Sequence, residues 1–180
     1  MALTGDLIVS AVLTAAQGGA SSAADFALVK DILVRKTSAP YLFNDNATAA
    51  TTQIESIVFE NMTGVDLKLI DVRVMTVSAV TASDTNNKVW TVQKRPKAGG
   101  AAATMCAPTT ATTGNAAGLG TTVAFAPLSA PIGAYTLANI VLAPGDSVGI
   151  LMGVTGTGVA TTGATGTVGG SVVCTFEPVL

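Results

Sequence analysis

A chain of 180 residues that is 49% hydrophobic but only 11% charged and 4% aromatic carries an unusually neutral surface, since soluble domains average about 25% charged residues. Its net charge of −2 leaves no basic footprint for nucleic acid, and the absence of histidine removes the commonest general base and metal ligand. Mean hydropathy is +0.56, yet no apolar run approaches the roughly 18–20 residues needed for a membrane span.

In chain order, residues 1–50 read as an extended N-terminal arm and residues 51–180 as one domain. The arm begins with an apolar stretch, Leu7-Ile-Val-Ser-Ala-Val-Leu-Thr-Ala-Ala16. Asp6 precedes it without any Lys or Arg, which is the wrong charge for a secretory leader. Such a stretch needs a partner to cover it, and this makes Leu7, Ile8 and Val12 candidate contact residues. Gln17–Ser22 and Asn44–Ala50 are flexible breaks. Between them, residues 22–35 fit a helix with Phe26, Val29 and Leu33 on one face. They fit a strand with Leu28, Ile32 and Val34 on one side equally well. Tyr41 and Phe43, in the linker after Pro40, are either anchors for a partner or packed against the chain's own domain.

From Thr51 onward the pattern is β. Ile54–Glu60 is a strand and Asn61–Gly64 a turn. Val65, Leu67 and Leu69 then alternate with Asp66 and Lys68, and the phase flips at Leu69-Ile70, which predicts a bulge or bend. Asp84–Asn87 is a turn and Val89–Val92 a strand. Further strands are expected at Thr121–Ala126, Leu137–Leu142, Ser147–Val154 and Ser171–Glu177, with a Pro144-Gly-Asp146 turn between two of them. Ala98–Gly120 and Thr155–Gly170 read as long uncharged loops suited to subunit contact. The sum is an all-β, jelly-roll-like antiparallel β-sandwich of about eight strands.

Beyond Lys97 the only charges are Asp146 and Glu177. Lys94, Arg95 and Lys97 form the single basic cluster, either a solvated strand end or a salt link to an acidic partner surface. Asp66 and Asp71, beside Lys68 and Arg73, are ordinary surface acids, and Asp146 is a turn acid that caps backbone N–H groups. Gly156-Thr-Gly158 lacks the third glycine and the helix of a dinucleotide site. Cys106 and Cys174 are too far apart in sequence for a CxxC motif and are expected as free thiols. No catalytic residue, cofactor site, metal site or small-molecule substrate is indicated.

The segment Leu137-Ala-Asn-Ile-Val-Leu-Ala-Pro-Gly-Asp-Ser-Val-Gly-Ile-Leu151, followed by a Gly/Thr loop and Gly170-Ser-Val-Val-Cys-Thr-Phe-Glu177, resembles the C-terminal strands of small tailed-phage virion proteins. These include capsid decoration (cement) proteins and fibre modules, often trimeric. The resemblance covers residues 120–180. It implies a non-enzymatic bacteriophage structural protein on the virion surface, assembled in the host cytoplasm. Such a protein would be a homotrimer bound to the major capsid protein or other virion proteins. The alternative it carries is a trimeric fibre or adhesion tip binding a host glycan, with Trp90 and Tyr135 as the rings to test.

Overall fold

The expected alternation of inward apolar and outward polar side chains builds two antiparallel sheets. The computed structural model describes residues 36–43, 55–112, 120–130, 135–156 and 169–179. Leu7, Ile8, Val12, the helix-or-strand question at 22–35 and most of the 155–170 loop lie outside these residues. The strands are β1 (Lys36–Thr37), β2 (Tyr41–Phe43), β3 (Ser56–Glu60), β4 (Leu67–Thr76), β5 (Asn87–Arg95), β6 (Ala103–Cys106), β7 (Leu128–Ala130), β8 (Val141–Leu142), β9 (Ser147–Thr155) and β10 (Gly170–Pro178). One helical turn, α1 (Leu137–Ile140), precedes β8.

One sheet has the order β1-β10-β4-β7, with β2 also on β10 and β8 also on β4; the other has the order β3-β9-β5-β6. Two of these strands are interruptions of longer ones. At the break between β1 and β2, Ser38 stays bonded to Cys174 (N–H to O, 2.9 Å), while the Ala39 N–H turns to Val58 of the other sheet at 2.9 Å. Along the β4 edge, β7 faces Val72–Val74 and β8 faces Leu67–Lys68. Counting each broken pair once leaves eight strands among the described residues. Their order, with β5 and β6 the one pair of sequence neighbours side by side, is that of a jelly roll.

The phase flip in β4 is a bulge. Thr175 pairs with Asp71 and Phe176 with Leu69, so Ile70 is the extra residue, and Leu67, Leu69, Val72, Val74 and Thr76 all face inward. Between the sheets, Phe43 and Trp90 meet at 4.9 Å between ring centroids and Phe59 and Phe176 at 4.6 Å. Leu67, Leu69, Leu142, Ile150 and Met152 fill the space around them. Both cysteines are buried free thiols.

Three expectations are corrected. The Ala98–Gly120 loop contains β6, which pairs Cys106 with Val92 and Ala103 with Lys94. Leu137–Leu142 is not one strand, because the Thr136 carbonyl accepts the N–H groups of Asn139 and Ile140 and closes a helical turn before β8. Thr121–Ala126 keeps its in-out alternation but forms only isolated bridges, Thr122 to Val80 and Ala124 to Thr76. The Ala126 N–H then folds back to the Val123 carbonyl at 3.2 Å and ends it.

Candidate functional site

Strand register places the ends of β2 and β4 beside the start of β10, since Gly170 faces both Phe43 and Thr76. In the second sheet Asn87 faces Thr155 at the corresponding end. The described connections 77–86, 107–112 and 120–127 meet here. The Ser83 N–H donates to the Thr110 carbonyl at 3.0 Å, the Thr112 N–H to the Asp84 carboxylate at 2.7 Å, and Val80 and Thr122 exchange backbone bonds. Threonines extend the pairing past the strand ends. Thr110 Oγ1 accepts the Lys88 N–H at 3.0 Å, and Thr109 Oγ1 donates to the Lys88 carbonyl at 2.9 Å.

The described part of this end is nearly charge-free. Lys88 is fully buried, on the inward row with Trp90 and Val92. Its place was legible in the alternation, but a lysine in phase with a tryptophan reads first as an outward residue. Exposed on the same end are Val123 and Phe125, at 60% and 69%. Among the described residues Phe125 is the one non-glycine with positive φ, at 58°. It occupies the third position of the Val123–Ala126 turn, where a positive φ ordinarily calls for glycine. A bulky side chain there costs about 1–2 kcal/mol. The Phe125 N–H is held by the Thr76 carbonyl at 2.7 Å.

The basic cluster lies at the far end of β5, where the side chains of Lys94 and Arg95 are engaged within the chain and Lys97 is exposed. Lys94 Nζ donates to the carbonyls of Ala138 at 2.7 Å and Val141 at 3.1 Å, at the end of α1. Arg95 pairs with Glu55, which holds its guanidinium above the usual range. The Lys97 N–H donates to the Asp146 carboxylate at 3.0 Å. Asp146 also accepts the Ala143 N–H at 3.0 Å, which makes it the expected turn-capping acid. Asp71 is bonded to Arg73 at 2.8 Å.

For Tyr41 and Phe43 the packing alternative is what the fold contains: they are 4% and 0% exposed, and Leu42 between them faces out. Trp90 is fully buried and Tyr135 packs against the core. Burial pushes the Cys106 and Cys174 thiols up to about 12. No group of three or more acids, cysteines or histidines that could hold a metal occurs among the described residues.

No protein-family model matches the chain, and no curated protein does. Two solved chains show a distant structural similarity. One is from a structure of the Gx strain of infectious bursal disease virus, 10% identical, with 80% of this chain and 32% of that chain covered and a TM-score of 0.34. The other is from the Gt strain, 11% identical, with 81% and 37% covered and a TM-score of 0.28. This chain spans about a third of the length of either.

Proposed function

We propose that this chain is a non-enzymatic structural protein of a virus particle, and within that class a capsid decoration protein of a tailed bacteriophage. The observation that carries the reading is a jelly roll whose loop-bearing end is almost without charge. A neutral face can be buried against protein without stranding ions, and symmetry multiplies many weak apolar contacts into a stable shell. Asp146, Glu55 and Arg95 are spent on turns and strand ties.

In this reading the chain sits on the capsid surface as a homotrimer and contacts the major capsid protein. Residues 1–35, with Leu7, Ile8 and Val12, lie across neighbouring subunits. The glycan-binding alternative loses one of its two named rings, Trp90, to the core, while Tyr135 is partly buried against it. Mass spectrometry of purified particles of the encoding virus tests the assignment, with copies in fixed ratio to the capsid protein expected. Their absence from washed particles overturns it. A chain lacking residues 2–35 should fold but no longer bind shells, and undiminished binding would sink the arm contact.

A further inference from the structure

The strained turn at Phe125 keeps a large apolar ring in solvent. The chain contains 19 glycines, and a glycine at this position would relax the φ of 58°. Instead it holds a phenylalanine that is 69% exposed, so the strain is not offset by burial in the chain's own core. Other exposed apolar residues differ: Met62, Leu137, Leu42 and Ile57 stand on backbone with ordinary φ. An outlier of this kind points to a use for the side chain outside the fold.

The turn is also held firmly. Phe125 is bonded through its N–H to Thr76, and buried Thr122 anchors the segment before it through Thr76 and Val80. Val123 projects on the same outward row. From Ala98 to Gly145 the sequence has no charged residue, and the exposed ion on the outer face of β4, Arg73, is already neutralised by Asp71. A partner that covers this surface without stranding a charge must itself be neutral and apolar there.

We propose that Phe125, with Val123 beside it, is the anchor of a contact between copies of this chain. A second copy matches the surface in charge, because its own 98–145 span is equally uncharged, and it brings the same ring. The contact is therefore insensitive to salt. It rests on the assembly reading above for its biological setting, and names the residue through which copies meet.

The test is sedimentation equilibrium of the full chain at low and high salt, with Phe125→Gly and Phe125→Asn compared with the parent. Both substitutions suit a positive φ, so both should keep or raise the melting temperature. They should weaken self-association about 30-fold, the loss of a central aromatic anchor. Variants that associate as the parent does overturn the contact while leaving the particle reading intact. A parent chain that stays monomeric throughout, or variants that melt markedly lower because the ring serves the fold, overturns it as well. If the chain is absent from purified particles yet loses association with Phe125→Gly, the particle reading falls and the contact stands.

Discussion

Asn61 and Asp146 lock one end of the sandwich together. The Asn61 N–H donates to the Asp146 carbonyl at 2.8 Å, and the Asn61 carbonyl accepts the N–H of Gly145 at 2.7 Å. The Asn61 side chain reaches Val65 and Leu142, both at 3.0 Å, while the Asp146 carboxylate holds the N–H groups of Lys97 and Ala143. Three connections thus converge on two residues, and Gly145, with φ 89°, lets the turn close.

Replacing Asp146 by Ala should therefore destabilise the fold by about 3 kcal/mol, because two backbone donors lose a charged acceptor in a site with little water. Asp146→Asn, which keeps one acceptor oxygen, should cost less. Urea unfolding of the three proteins checks the order. Equal stability of Asp146→Ala and the parent would remove the turn-capping role.

The outer face of the second sheet contains a second tie. Glu55 reaches across β9 to Arg95 on β5 and passes directly over Gly149, where a Cβ would collide with its carboxylate. Gly149→Ala is expected to displace the flexible Glu55 side chain and lower the melting temperature by about as much as Glu55→Gln, since either change costs the ion pair to Arg95. In the Glu55→Ala background the added methyl should be nearly harmless. A penalty that persists there would place its cause in the strand backbone instead.

The buried thiols set the alkaline limit. Cys106 and Cys174 are raised by burial from 9.0 to about 12, and the Cys106 thiol adds to the rise at Cys174. An acid with a higher pKa in the folded state keeps its proton while the unfolded chain loses it. Stability is therefore complete below about pH 9 and declines as pH rises toward about 12, by up to roughly 1.4 kcal/mol per pH unit for each thiol. The Cys106→Ala/Cys174→Ala protein should show a shallower decline in denaturation midpoint across that range. At pH 8 neither thiol should react with iodoacetamide until the chain unfolds.

Long strands were legible because they obey a period of two. The flip at Leu69-Ile70 predicts a bulge or bend, and the bulge is what the strand contains, since inserting one residue must swap every later side chain between faces. Short strands escaped for the same reason: Ala103–Cys106 and Leu128–Ala130 are too brief to display a period. Tyr41–Phe43 sat in a polar linker and looked like arm, yet three residues suffice when β10 supplies the partner. The exposure of Phe125 was not legible at all, because a positive φ at phenylalanine contradicts the local rules from which sequence is read.

Thr76 and Thr122 provide the support on which that turn depends. Thr76 Oγ1 donates to the Ser78 carbonyl at 2.8 Å, so its 3.0 Å contact with Thr122 Oγ1 must be a bond it accepts. Thr122 Oγ1 in turn accepts the Val80 N–H at 3.1 Å. Both hydroxyls are buried, at 1% and 2% exposure, and the Thr122 hydroxyl donates to Thr76, which completes the chain of bonds from Val80 to Ser78. Thr122→Val should cost about 1–3 kcal/mol, since it leaves an acceptor at Thr76 unfilled and weakens the bond to Val80. Thr76→Val should cost a similar amount. The double variant should fall well short of the sum, because it takes a bond from the Ser78 carbonyl and the Val80 N–H only, whereas each single change also strands the remaining threonine hydroxyl. Chemical denaturation of the four proteins gives the coupling directly. Strict additivity would mean that the two threonines act separately and that the relay does not hold the 120–126 segment against β4.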